Sequence, residues 1–279
     1  MKADLHIHST YSDGSLPPAQ IISLATEKGL SIVGITDHDT ANHFPESIKE
    51  GAKSGMTVIP GVEFSTGFKD LEIHIIGYAL DYRNRELRAH LRRVRSRRLE
   101  RAHEILARLA SRNVHIPASA LDPACENATV GRMLIARFLF NHGYVRTIEE
   151  AFDRYLGSNG TAFVPYELTE ACEVVGLIKR SGGVSVFAHP SRAELETAFE
   201  VLCEAGLEGI EAWRPTITRG FVNAIKKKAS QHKLVLTGGS DWHHDGGWFD
   251  FGEFYVEKSR IAGFLNLVEE KSRSRQEIR

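Results

Sequence analysis

Asp4-Leu5-His6-Ile7-His8 reads as a strand with its polar side chains on one face. Side chains alternate along a strand, so His6 and His8 point the same way and can grip one metal ion, while Leu5 and Ile7 face the core. Histidines and carboxylates recur at the ends of later apolar runs, in Thr36-Asp37-His38-Asp39, Gly61-Val62-Glu63, Ala188-His189-Pro190 and Ser240-Asp241-Trp242-His243. His74 sits inside a further run, and Asp13 lies in the loop after the first strand. Six of the 13 histidines belong to this set: His6, His8, His38, His74, His189 and His243. With Asp13, Glu63 and Asp241 they make nine nitrogen and oxygen ligands and no sulfur. One tetrahedral ion needs three or four ligands, so the set predicts two or three divalent ions sharing a carboxylate. Such ligation suits Mn, Fe or Zn. Clustered divalent ions generate hydroxide near neutral pH and hold both oxygens of an in-line phosphoryl displacement.

These residues need a scaffold that gathers strand ends. Apolar runs at 31–35, 57–59, 72–78, 184–187, 209–213 and 234–236 follow the first strand, and helical patterns lie between them, including 193–204 and a last one at 260–271 before a fraying basic tail. Strand-helix-strand order predicts a parallel sheet with crossover helices, and about seven such units close an irregular barrel. Barrel chemistry sits at the C-terminal strand ends, where these ligands fall. The rhythm breaks at a long Arg-rich helix pattern over 85–112, with an apolar stripe of Leu87, Leu91, Val94, Ala102, Leu106 and Leu109. Residues 113–168 read as helical and irregular. The expected division is a barrel from 1–99 and 169–279, with 100–168 a small helical insertion that caps the substrate.

The 279 residues are 42% hydrophobic and 25% charged, as in an ordinary globular protein. A net charge of −1 gives no bulk attraction to nucleic acid. Arg88, Arg92 and Arg95 do share one face of the Arg-rich helix. The expected reading is a solvated face, with a phosphate-attracting stripe as the alternative; the helix has no interleaved aromatics for base stacking. Cys125, Cys172 and Cys203 are an odd number without ligand spacing, which fits a reducing compartment. No leader precedes the first strand and no apolar run is long enough to span a membrane, so a cytoplasmic protein is expected.

DLHIH, ITDHD, PGVEFS, HIIGY, FAHP and GGSDWH, in this order, resemble the motifs of the PHP (polymerase and histidinol phosphatase) family of metal-dependent phosphoesterases. VGRMLIAR and AFDRYLGSNGTAFVP are similar to the branch containing 3′,5′-nucleoside bisphosphate phosphatases and a short-RNA 5′→3′ exonuclease. The resemblance implies an α/β fold, a distorted (β/α)7 barrel with a helical insertion, and a trinuclear site. His6, His8, Glu63 and Asp241 would hold one ion. Glu63, His74 and His189 would hold the second, with Glu63 bridging, and Asp13, His38 and His243 the third. Glu63, His189 and Asp241 are the catalytic candidates, and Asp4 and Asp37 would orient imidazoles.

Arg132 matches the family's phosphate clamp, although Met133-Leu134 replaces the usual Pro-His. Trp213-Arg214 stands where the branch often has histidines, which makes Arg214 a second substrate-binding candidate. The implied activity is hydrolysis of a small nucleotide-like phosphate ester, a 3′,5′-nucleoside bisphosphate first, by a metal-bound hydroxide. Alternatives are a 5′→3′ exonuclease on short oligonucleotides or a cyclic-phosphate phosphodiesterase; a metal-stabilised binding module is the non-enzymatic rival. The implied cofactors are two or three divalent ions, Mn first, then Fe or Zn. The implied partner is a small phosphorylated substrate or a short oligonucleotide, with no membrane and no obligate protein partner.

Overall fold

The computed structural model describes residues 1–121, 128–246 and 249–277. Cys125 and Glu126 lie outside the described residues. β1 (Lys2–Ile7), β2 (Leu30–Ile35) and β3 (Thr57–Phe68) run parallel, joined by α1 (Pro18–Glu27) and α2 (Phe44–Ser54). Both helices have proline in the first turn, where its fixed φ suits the helix and its missing N–H costs nothing.

β3 outruns the three residues expected of it and turns back into β4 (Leu71–Tyr78). Phe68 pairs with Leu71 across a two-residue loop, and Lys69 there adopts φ 54°. The run at 72–78 is therefore the second arm of a hairpin and not a new βα unit. The expectation of a uniformly parallel sheet fails here, because a two-residue loop can join only antiparallel strands. β5 (Thr169–Glu170) pairs with the far end of β3. β6 (Val184–Phe187) pairs antiparallel to β4, and β7 (Gly209–Trp213) and β8 (Val235–Gly238) follow in parallel. β9 (Val256–Glu257) lies antiparallel to the start of β1. Ile7 bridges Trp242, and the His8 amide donates to the Trp242 carbonyl at 2.9 Å. These contacts bring the last strand round to the first, so the sheet is a nearly closed barrel.

α3 (Arg85–Ala110) is capped by the Asn84 side chain, which accepts from the Glu86 and Leu87 amides. Its Leu87 packs with the barrel core, whereas Ala102, Ile105, Leu106 and Leu109 pack in a second core. That second core also contains Ile135, Ala136 and Leu139 of α4 (Arg132–Asn141), and Ala151 of α5 (Ile148–Ala151), which continues as a π turn. The division expected at 99/100 falls inside α3. α6 (Ala171–Arg180) returns the chain to the barrel. The helix expected over 193–204 is two, α7 (Arg192–Thr197) and α8 (Phe199–Glu204), meeting at Ala198. α9 is Arg219–Gln231, and α10 (Ala262–Glu277) continues past the expected fraying point. Lys271 anchors α10 by donating to Glu208 and to the Gly183 carbonyl. No helix among the described residues is long and apolar enough to cross a membrane.

Candidate metal centre

The centre starts at the end of β1. His6 and His8 are fully buried, with their Nε2 atoms 3.2 Å apart. Asp241 Oδ1 lies 3.3 and 3.2 Å from those two nitrogens, and Glu63 Oε2 lies 3.3 and 3.1 Å from them. Ligands of a tetrahedral ion at 2.0–2.1 Å stand about 3.3–3.4 Å from one another, and these four atoms have nearly those spacings. Glu63 Oε1 lies 2.8 Å from both His74 Nδ1 and His189 Nε2. Asp13 Oδ1 is 3.4 Å from His243 Nε2, and its Oδ2 is 3.9 Å from His38 Nε2. All nine residues singled out in the sequence thus form one connected cluster. Two of them have wider reach than the resemblance implies: His8 also joins the Asp13, His38 and His243 group, and His38 also joins Glu63 and His74.

Backbone packing sets these positions. A Cβ on Gly14 would lie 2.1 Å from the His8 carbonyl oxygen, and one on Gly239 would lie 2.3 Å from His6 Cβ. Only glycine lets those loops close on the two histidines. His189 and Asp241 both have positive φ, 27° and 57°. The Asp241 amide donates to the His6 carbonyl at 2.9 Å, and the His189 amide to Glu211 Oε2 at 2.8 Å, which hold both residues in this uncommon backbone.

The donors fit divalent ions. Glu63 Oε2, Asp13 Oδ1 and His38 Nδ1 are buried without a hydrogen-bond partner among the described residues, and each faces this cluster. Buried polar atoms are rarely left unpaired, and a cation would satisfy all three. Burial works against the charged forms, but the cluster outweighs it: Glu63, Asp241 and Glu211 hold the His6 imidazole well above its ordinary value. The imidazoles of His38, His6 and His74 likewise hold Glu63 well below the carboxylate range. His38 goes the other way, pushed down to about 4 mainly by burial.

A PHP-domain family model matches residues 4–160. The chain belongs to the PHP-domain family. It is 31% identical over 252 residues to the 3′,5′-nucleoside bisphosphate phosphatase of Chromobacterium violaceum, covering 87% of each chain. It is 33% identical to the 5′-3′ exoribonuclease Rnm of Salmonella typhimurium, covering 89% of this chain and 87% of that one. Its fold superposes with a TM-score of 0.86 on a Bifidobacterium adolescentis protein assigned as a metal-dependent phosphoesterase, at 27% identity, covering 95% of this chain and 96% of that one. The PHP-domain chain is accordingly a metal-dependent phosphoesterase, a hydrolase.

Above the cluster lies a cavity of about 180 Å³. Asp13, His38 and His74 of the cluster line it, together with Arg98, Arg101 and Arg132. Arg98 comes from α3 and is fixed by Asp39, to which its Nε donates at 2.9 Å, and by Ser65. Arg101 is pushed down to about 10, by burial first and then by the charges of Arg132 and Arg98. The three guanidiniums give the cavity a positive side, offset by Asp39, which pairs with Arg98, and by Glu72, which also lines the cavity. Arg132 donates to the Leu156 carbonyl at 3.3 Å, with Glu72 4.0 Å away. Arg214 lies apart from this wall and donates to the Pro190 carbonyl, one residue beyond His189.

Sequence reasoning passed over Arg98, Arg101 and Glu211 as site residues. The signal for Arg98 was present: it stands four residues from both Val94 and Ala102, inside the buried stripe of α3. Glu211 is 2% exposed and contacts His6 Nδ1 at 3.3 Å, so it orients that imidazole. Neither Asp4 nor Asp37 does so. Asp4 accepts from the His6 and Ser240 amides, and Asp37 accepts from Ser9 and Ser12. These bonds shape the loops that carry the cluster, and the ring beside Asp37 is that of His43, whose Nε2 lies 3.8 Å from Asp37 Oδ2.

Proposed function

We propose that this PHP-domain chain hydrolyses 3′,5′-nucleoside bisphosphates with two or three bound divalent ions, manganese first. The observation that carries the reading is one cavity lined both by Asp13, His38 and His74 of the cluster and by Arg98, Arg101 and Arg132. A substrate with two phosphates fits such a space. One phosphate lies at the ligand cluster, and the second, not cleaved, is held by planar guanidinium donors. The N-terminus of α4, at Gly131 and Arg132, borders the same cavity and adds its positive end.

The nine-residue set would hold the ions, with Glu63 bridging and His189 and Asp241 completing the reactive side. Bound there, the ions supply an activated water and neutralise charge on the phosphoryl oxygens. Glu211 holds the His6 ring in register, and the arginine wall orients the substrate. The helical segment 100–168 is assigned as the cap, because it supplies Arg101 and Arg132. Cys172 and Cys203 are free thiols, which supports a cytoplasmic setting. The relative from Chromobacterium violaceum, named for the same substrate class, supports this assignment.

The test is phosphate release from a panel of 3′,5′-adenosine bisphosphate, adenosine monophosphates, a cyclic phosphate and p-nitrophenyl phosphate after Mn²⁺ loading, with metal content measured on the same sample. The bisphosphate should give the highest kcat/KM. Preference for a monoester lacking a second phosphate, or a metal content of one or less per chain, would overturn the reading.

A further inference from the structure

Asp13 reaches the cluster from the loop between β1 and α1, and that loop is held from two sides. On the barrel side, the Ser9 amide and the Ser9 and Ser12 hydroxyls donate to the Asp37 carboxylate at 2.8, 2.6 and 2.6 Å. The Ser15 amide donates to the His243 carbonyl at 2.8 Å. On the other side both donors come from the helical segment 100–168. The Thr129 amide donates to the Tyr11 carbonyl at 2.9 Å, and Arg137 Nη2 donates to the Asp13 carbonyl at 2.5 Å.

The barrel contacts therefore fix residues 9, 12 and 15, whereas the contact on Asp13 itself belongs to Arg137. A peptide unit is planar, so holding that carbonyl sets the ψ of Asp13 and limits where its carboxylate can swing. The position matters at this residue. Asp13 Oδ1 lies 3.4 Å from both His8 Nδ1 and His243 Nε2, and it is buried without a hydrogen-bond partner among the described residues. Arg137 is itself half-buried and has no ion pair among the described residues. Its side chain also borders a cavity of about 230 Å³ with Ile116, Leu134 and Phe138, so its methylenes have an apolar setting while its head group serves the loop.

We infer that Arg137 is a positioning residue of the metal centre: by holding the Asp13 carbonyl it sets the Asp13 carboxylate for the ion shared with His38 and His243. The helical insertion then builds part of the centre, besides supplying Arg101 and Arg132 to the cavity above it. Arg132 and Arg137 ride on the same helix, α4, so the phosphate arginine and the arginine of the ligand loop move as one piece. This rests on the assignment of two or three ions given above.

The experiment counts ions without using turnover. The full chain is stripped with chelator and titrated with Mn²⁺, and free Mn²⁺ is read by electron paramagnetic resonance, with a melting curve on each variant. Arg137→Met keeps an apolar stem and removes the donor; Arg137→Lys restores a donor and the charge. Asp13→Ala marks which binding step belongs to Asp13. Arg137→Met should weaken that same step about 10–100-fold, as loss of a partner that orients a ligand does, and leave the other steps within about twofold. Arg137→Lys should recover part of the loss. Asp13→Ala/Arg137→Met should bind Mn²⁺ no more weakly than Asp13→Ala alone, since a residue that acts through Asp13 has nothing left to act on. Mn²⁺ binding by Arg137→Met that matches wild type, an additive loss in the double variant, or an equal loss at every step with a lower melting temperature would each overturn the positioning role. Asp13→Ala that binds Mn²⁺ as wild type does would overturn the ion assignment, and the role of Arg137 with it.

Discussion

Arg132→Ala separates a phosphate clamp from a structural arginine. Within the protein, the contacts of Arg132 are weak: a 3.3 Å bond to the Leu156 carbonyl, Glu72 at 4.0 Å, and the Phe152 ring 5.8 Å from the guanidinium carbon. Its side chain is 27% exposed, so solvent screens the Glu72 pair, and an ion pair of that kind contributes about 0–1 kcal/mol. The melting temperature should therefore change little. A charge-assisted bond to a bound phosphate is worth about 1.5–3 kcal/mol, which corresponds to roughly ten- to a hundredfold in kcat/KM. The alanine variant should lose that much on 3′,5′-adenosine bisphosphate and nearly nothing on p-nitrophenyl phosphate, which has no second phosphate to hold. Arg132→Lys should recover part of the loss, because an ammonium restores charge without the paired planar donors. The assay is steady-state kinetics on both substrates with a melting curve on each variant. Equal losses on the two substrates would refute the clamp and assign Arg132 to holding the Leu156 turn.

Three further outcomes follow from the centre. Glu63→Gln should lose at least one metal ion per chain and nearly all turnover while staying folded, since Glu63 contacts five imidazoles within 3.3 Å; normal metal content with Gln at 63 would remove Glu63 from the site. Glu211→Ala should weaken metal affinity about 10–100-fold, the usual effect of losing a partner that orients a ligand; a metal titration unchanged from wild type would end its role in orienting His6. Burial holds the His43 imidazole below its ordinary 6.5, against the opposing charges of Asp37 and Glu46, with the Tyr11 ring at its edge. His43 is then neutral in the fold but takes a proton when unfolded, so its stabilisation is complete above 6.5 and is lost as pH falls through the folded value. His43→Gln should flatten the acid side of the melting-temperature profile, and superposable profiles would refute this.

The sequence by itself determined the metal chemistry. His6 and His8 at i and i+2 share a strand face whatever the surroundings, and the other seven residues of the cluster sit at or near the ends of apolar runs that a barrel must gather. It also determined that the βα rhythm stops near residue 85. Tertiary structure decided what depends on contact across the chain. β4 reverses because Phe68 pairs with Leu71 across a two-residue loop, and this turn, not the apolar pattern, delivers His74 to Glu63. Arg98 and Arg101 line the cavity over the cluster, while Arg88, Arg92 and Arg95 line a separate one. The arginine pattern is nearly uniform along α3, and only the course of the helix across the barrel sorts its faces. Glu211 looked like an ordinary strand residue, and its role appears only where β7 comes beside β6, bringing its carboxylate to the His189 amide and the His6 ring. Local spacing sets which side chains share a face, but which face meets which cavity is set by packing between elements distant in sequence.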